Sequence, residues 1–206
     1  MLDDDVLAFV TGALPAPPAR VLEVGAGSGE LAAALTGRGY EVVAIDPASD
    51  GPPVVPVPLH ELEARPASFD AAVAVVSLHH VEPLDESCRR LGELVRPRGA
   101  LVVDEFDVER YDDRAARWWL EQRAAAGHDH EHEPGEIVAD LRAHLHAVES
   151  VCDALAPWFA LEPLVRGAYL YRSELPAGLR SEEERLIGAG ALPATGARLV
   201  GTRRAD

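Results

Sequence analysis

Arg20-Val21-Leu22-Glu23-Val24-Gly25-Ala26-Gly27-Ser28-Gly29-Glu30 is the stretch that decides the fold. A short apolar run enters a turn with three alternating glycines. Glu30 to Thr36 then has helical composition and periodicity. A strand, a turn and a helix in that order aim backbone amides and a helix N-terminus at one spot beyond the sheet. Glycine lets the backbone there approach a ligand closely and take positive φ. Gly37 to Gly39 ends the helix, and Glu41 to Ile45 reads as a second apolar strand that stops at Asp46. Strand, turn, helix and strand make one half of a doubly wound parallel sheet. Upstream, residues 3–14 read as an amphipathic helix. Asp3 to Asp5 suit its positive end, Val6, Phe9, Val10 and Leu14 form its stripe, and Pro15, Pro17 and Pro18 stop it.

Downstream, residues 47–58 are rich in proline and glycine, so the usual crossover helix shrinks to a loop, with a short third strand expected at Val54, Val55 and Val57. Phe69 to Val76 and Gly99 to Phe106 read as central buried strands. Leu84 to Val95 reads as the helix between them, with Leu84, Cys88 and Leu91 inward. From 108 to 135 the chain is polar, with one aromatic cluster at Tyr111, Trp118 and Trp119. Ile137 to Leu155 predicts one long helix, Trp158 to Val165 a strand, Ser181 to Gly188 a helix and Arg198 to Thr202 a final strand. There is no internal repeat.

The chain has 206 residues and a formal net charge of −16, and its 48% hydrophobic content supports a core. The acidic balance disfavours nucleic acid, which needs clustered positive charge, and anionic membrane surfaces. Lysine and asparagine are absent. That pattern fits high-GC coding bias, and salt adaptation is the other reading of an acidic, lysine-free chain. Cys88 and Cys152 make no disulfide framework and read as reduced thiols. No apolar run approaches a membrane span, and the acidic start is unlike a signal peptide, so a cytoplasmic location is expected.

The spacing Gly25-x-Gly27-x-Gly29 departs from the dinucleotide fingerprint, which needs Gly-x-Gly-x-x-Gly. Glu23 would repel a pyrophosphate and attract a cation. These two features disfavour a nicotinamide oxidoreductase. Asp46, seventeen residues past Gly29, can accept hydrogen bonds from ribose hydroxyls.

Glu23 to Glu30 resembles the first motif of the class I S-adenosylmethionine-dependent methyltransferases, and Asp46 matches their second-strand acid. Phe69-Asp70-Ala71-Ala72-Val73 followed by Ser77-Leu78-His79-His80-Val81 resembles their fourth-strand motif. Leu94-Val95-Arg96-Pro97-Arg98-Gly99-Ala100-Leu101 resembles the segment leading into the fifth strand. The resemblance covers about residues 18–106 with motif spacing intact. Asp104-Glu105-Phe106, Trp118-Trp119-Leu120, Tyr169-Leu170-Tyr171-Arg172 and Ala194-Thr195-Gly196 are similar to a set of actinobacterial methyltransferase-like proteins without an assigned substrate.

The resemblance implies an α/β fold: a doubly wound, Rossmann-like sheet, mostly parallel with an antiparallel last strand, carrying a helical lid insertion. It implies one domain over 1–206, with a cofactor half at 1–106, a lid at 107–157 and C-terminal strands at 158–206. It implies S-adenosylmethionine as cofactor. Gly25, Ala26, Gly27, Ser28 and Gly29 would line its methionine and ribose part, Glu23 would face the charged amino-acid end, and Asp46 with Pro47 would take the ribose. Ser77 and Leu78 would border the methionine arm. The family often has an acid near the end of the third strand for adenine, and here that place falls near Pro58. Adenine recognition then passes to Glu61, Leu62 or the backbone around His60. Arg98 also replaces the first glycine of the usual Pro-Gly-Gly turn.

Methyl transfer from a sulfonium needs alignment and a dry site, and a general base only where the acceptor starts protonated. Glu105 or Asp104 after the fifth strand, His79 after the fourth, and His146 or His144 on the long helix are the candidates. Glu105, His79 and His146 are the ones we name. Tyr111, Trp118 and Trp119 read equally as an aromatic wall over the acceptor or as a seal under a helix. His128, His130 and His132 would share one face of an extended segment and could hold a divalent ion, though Gly127, Pro134 and Gly135 suggest an exposed loop, and no metal site is assigned. The leading expectation is methyl transfer to the oxygen or nitrogen of a small molecule by a monomer or homodimer. The alternatives are a catalytically silent cofactor-binding regulator and a metal-binding protein using the histidine run.

Overall fold

The computed structural model describes residues 2–128 and 132–205. Helix α1 (Asp4–Ala13) is capped by Asp3, whose carboxylate accepts from the Asp5 amide at 2.8 Å, and it buries Val6 and Val10. Then come β1 (Arg20–Val24), α2 (Glu30–Thr36) and β2 (Glu41–Ile45), with the boundaries read from the sequence. The expected third strand is reduced to one parallel bridge between Val55 and Ile45. The prolines at 52, 53, 56 and 58 have no N–H to offer a ladder. Next are β3 (Phe69–Val75), α3 (Leu84–Leu94), β4 (Val95–Phe106), α4 (Asp113–Ala125), α5 (Pro134–His144), α6 (Val148–Leu155), β5 (Phe159–Leu161), β6 (Val165–Gly167), α7 (Arg180–Gly188) and β7 (Gly196–Arg203).

The seven strands form one sheet in the order β2-β1-β3-β4-β7-β5, and β6 also pairs with β7. The β1–β2, β1–β3 and β3–β4 pairs are parallel, while β5 runs antiparallel to β7. This is the doubly wound, mostly parallel arrangement with antiparallel pairing at its end. Alternation along the strands sorts their side chains between two cores. Leu22, Val24, Ala72, Ala74, Leu101 and Val103 pack with Cys88, Leu91, Leu94, Val151 and Leu155 of α3 and α6. Val21, Ala71, Val73 and Val102 pack with Val6 and Val10 of α1 and Leu31 and Leu35 of α2. Cys88, buried, and Cys152, half-buried, form no disulfide.

Two expectations change. The polar stretch after residue 108 contains α4, with Asp112 capping the Arg114 and Ala115 amides at 3.0 and 3.1 Å. Its buried face is small, with Ala115, Ala116 and Trp118, so little apolar periodicity announced it. The single helix expected over 137–155 is two helices, α5 and α6, parted at Leu145–Ala147. Leu145 turns extended at φ −117°, and the His144 ring and the Asp140 carbonyl lie 2.8 Å apart. No glycine or proline marks this break.

The chain divides into two compact units. The first holds residues up to Glu105, Glu149–Leu164 and the chain from Arg198. The second holds Phe106–Val148 and Val165–Ala197. The second unit therefore takes in part of the expected C-terminal segment, and α6, expected in the lid, belongs to the first. Tyr111 and Trp118 sit in the second unit's own core with Phe106, Val138, Leu170 and Leu192, which favours the sealing role over an open aromatic wall. The Trp119 indole N–H donates to the Ser173 carbonyl at 2.8 Å.

Candidate active site

The glycine turn is tied down by its own neighbourhood. The Gly25 and Ala26 amides both donate to the Ile45 carbonyl, at 2.9 and 3.0 Å, and the Gly29 amide closes back on the Ala26 carbonyl at 2.8 Å. Gly25, Gly27 and Gly29 all have positive φ, at 68°, 51° and 78°, and Gly29 is the left-handed N-cap of α2. A Cβ on Gly25 would lie 2.3 Å from the Ser77 Cβ, so no larger residue fits without moving the facing turn. Asp46, at the end of β2, accepts the Gly27 amide at 2.9 Å and the Ala48 amide at 2.8 Å, one on each carboxylate oxygen. Each oxygen keeps a second lone pair for a ligand hydroxyl.

A cavity of about 600 Å³ opens at the carboxyl ends of these strands. Val24, Gly25, Asp46, Pro47, Ala48, Pro58, Leu59, His60, Val76, Ser77, His80, Val81 and Glu82 line it. Its size suits a nucleoside-bearing cofactor, and its position is where open α/β sheets bind ligands. Of the residues expected to hold the cofactor, Gly25, Asp46, Pro47 and Ser77 border it. Ala26, Gly27, Ser28 and Gly29 shape the turn without lining this cavity. Glu61 and Leu62 do not border it: Leu62 is buried in the core and Glu61 is turned to its neighbour His60. Instead Pro58, Leu59 and His60 form that wall. The 3-10 turn Leu59–Glu61 follows the proline-rich loop and brings its first two residues inward, a geometry with no periodic signal in the sequence.

Glu23 lies at the end of β1 and is buried; its Oε2 has no hydrogen-bond partner. Burial pushes its carboxyl pKa up to about 7, against a smaller lowering from the Ala32 backbone. A buried carboxylate with an unmet oxygen beneath the glycine turn suits a cationic ligand group.

The opposite wall is the turn after β3. Val76 takes φ 52°, a left-handed conformation that a β-branched residue rarely adopts, and its amide donates to the Asp104 carbonyl at 2.7 Å. The expected strand therefore ends one residue early. Ser77 donates its hydroxyl to the Val24 carbonyl at 2.8 Å. Leu78, His79 and His80 form a 3-10 turn.

Glu105 and His79, both proposed as proton acceptors, are found together and buried, 1% and 3% exposed. The Glu105 carboxylate accepts the Ser77 amide at 3.0 Å and the Leu78 amide at 2.6 Å, and its other oxygen meets His79 Nδ1. Neither borders the cavity, so the expectation that Glu105 stands over it is corrected. Alternation along β4 turns its side chain inward instead. Its neighbour Asp104 binds Arg198 at 2.7 Å. His146 is not on a helix but in the break between α5 and α6, so the helical-face reasoning that selected it does not apply. His130 lies outside the described residues. Among the described residues no group of three or more potential ligands is placed to hold a metal ion, and no helix is long and apolar enough to cross a membrane.

A family model described as a methyltransferase domain matches residues 2–143, more than half of the chain. The chain belongs to the methyltransferase-domain family. It is an S-adenosylmethionine-dependent methyltransferase of class I. An uncharacterized methyltransferase of Mycobacterium tuberculosis is 31% identical over 167 residues, covering 68% of this chain and 83% of that one. A ubiquinone biosynthesis O-methyltransferase of Xanthomonas campestris is 34% identical over 115 residues, 47% of each. Among solved structures, an S-adenosylmethionine-dependent methyltransferase from Mesorhizobium loti superposes with a TM-score of 0.64 at 16% identity, covering 97% of this methyltransferase and 99% of that chain. The 1,6-didemethyltoxoflavin N1-methyltransferase of Burkholderia thailandensis, solved with S-adenosylhomocysteine, gives 0.56 at 19%, covering 98% and 76%. The lining of this cavity fits the cofactor, with a carboxylate that has lone pairs to spare at Asp46 and an apolar slot at Pro47, Leu59 and Val81. Glu23, with its unmatched buried oxygen, sits one residue before the lining residue Val24 and does not itself border the cavity.

Proposed function

We propose that this methyltransferase acts on the oxygen or nitrogen of a small-molecule acceptor. The observation that carries the reading is the cavity whose two walls are the glycine turn and the Ser77 turn, with Asp46 at its mouth bonded to the Gly27 amide. Asp46 would hold the ribose hydroxyls, Glu23 would neutralise the cationic amino-acid end, and Pro47 and Leu59 would flank the base. S-adenosylmethionine supplies, when bound, a methyl group already activated on a sulfonium. The protein's part is then to align the reactants and exclude water.

The chain's −16 charge argues against a nucleic-acid acceptor. The O- and N-methyltransferases among its relatives and structural neighbours support a small one. Glu105 and His79 are engaged with each other, and Glu105 also with the Ser77 and Leu78 amides, so neither is proposed as the proton acceptor. The test is incubation with S-adenosylmethionine and panels of phenols, amines and ring N–H compounds, with mass-spectrometric detection of methylated product and S-adenosylhomocysteine. Product from one class establishes the acceptor type. Tight binding of S-adenosylhomocysteine without turnover on any class would favour the silent regulatory reading.

A further inference from the structure

Glu105 sits at the end of β4, yet three of its contacts converge on residues 77–79, about 27 positions earlier in the chain. A buried carboxylate is costly unless its lone pairs are filled, and here backbone amides and an imidazole fill them. The turn it holds is one the local sequence does not favour. It begins at Val76 with positive φ, and Ser77 itself has φ −137° and ψ −38°. The His79 ring, held by Glu105, packs on His80 at a centroid distance of 4.2 Å, and His80, Ser77 and Val76 line the cavity.

We infer that Glu105 is a positioning residue for the cofactor: through the Ser77 and Leu78 amides and the His79 ring it fixes the cavity wall that faces the glycine turn. This rests on the cofactor reading above and adds a residue that does not touch the cofactor. It replaces the general-base role suggested by the sequence.

The molecule carries its own control. Glu183 on α7 is equally buried, and its carboxylate accepts the Tyr169, Leu170 and Tyr171 amides at 2.8, 2.9 and 2.8 Å, bracing a 3-10 turn of the second unit. Both carboxylates brace a turn, and only the Glu105 turn lines the cavity.

The experiment measures S-adenosylhomocysteine affinity by calorimetry, with melting temperature alongside, for the 206-residue chain and its Glu105→Leu, Glu105→Gln, His79→Phe and Glu183→Leu variants. Wild type binds. Glu105→Leu should weaken binding by roughly 30-fold or more, from the loss of several charge-assisted bonds to the wall. Glu105→Gln keeps an acceptor for the amides and should recover most of that loss. Glu183→Leu should lower the melting temperature comparably and leave affinity within about twofold. Equal weakening by Glu105→Leu and Glu183→Leu, or unchanged affinity in folded Glu105→Leu, overturns the assignment. If Glu105→Leu does not fold, His79→Phe takes its place, and unchanged affinity there overturns it. A wild type that binds no S-adenosylhomocysteine would instead sink the cofactor reading itself.

Discussion

The two walls of the cavity are built in opposite ways. The Gly25–Gly29 turn takes its shape from residue type, three positive-φ glycines and a closing bond from Gly29 to Ala26, and is seated on the Ile45 carbonyl and the Asp46 carboxylate of the adjoining strand. The Val76–His80 turn is held from a distance. Its first residue is a valine in a conformation valine resists, and its amides end on Glu105 and on the Asp104 carbonyl. The first wall is written in residue type, and the second in tertiary contacts. The walls meet where Gly25 passes Ser77, at a separation that leaves no room for a methyl group.

The meeting point gives the largest expected effect. Gly25→Ala sets a Cβ 2.3 Å from Ser77 at positive φ and should abolish measurable S-adenosylhomocysteine binding. Overpacking and left-handed strain together cost about 2–5 kcal/mol, seen as a fall in melting temperature. Gly27→Ala, whose Cβ would meet nothing within 4 Å, should cost only the backbone strain of about 1–2 kcal/mol. If the two variants behave alike, the walls do not abut as described.

Glu23, beneath the glycine turn, comes next. Its raised pKa means the folded protein binds a proton that the unfolded chain has released, so stability falls as pH rises from about 4.5 to about 7. Glu23→Gln should therefore be more stable than wild type at pH 8, by up to about 3 kcal/mol, and indistinguishable near pH 4. Denaturant unfolding at the two pH values checks this, and a gain of equal size at both would contradict the burial. Under the cofactor reading, the same substitution should also weaken S-adenosylhomocysteine binding at pH 8.

Asp46→Ala removes the acceptor for the Gly27 and Ala48 amides and the proposed ribose contacts. A loss of about 2 kcal/mol in affinity, close to 30-fold, is expected by calorimetry. The smallest effect separates the second wall from its strand. Val76→Gly relieves a strained φ and should change stability by less than about 1 kcal/mol. Val75→Gly, one residue back in β3, gains no such relief and should destabilise by more. Equal losses would mean that the turn is not strained.

Much of the fold was legible because its signals are local. The glycine turn, Asp46, the strands at 20–24 and 41–45, and helices α2 and α3 each announce themselves through residue type or period. The helix at 113–125 was not legible, because its buried face is mostly alanine. The break at residues 145–147 carries no glycine or proline to mark it.

At the site, the sequence by itself marked the glycine turn and the acids Glu23 and Asp46, because only certain residue types permit positive φ or carry charge at a strand end, while the burial of Glu23 came from the fold. It named Glu105 and His79 but not their task. Whether a carboxylate faces a cavity or braces a distant turn depends on which amides the folded sheet brings to it. Here β4 lies beside β3, so Glu105 meets Ser77 and Leu78. The tertiary structure alone decided that, along with the inward turn of Leu59 and His60, because both arise from contacts between segments far apart in the chain.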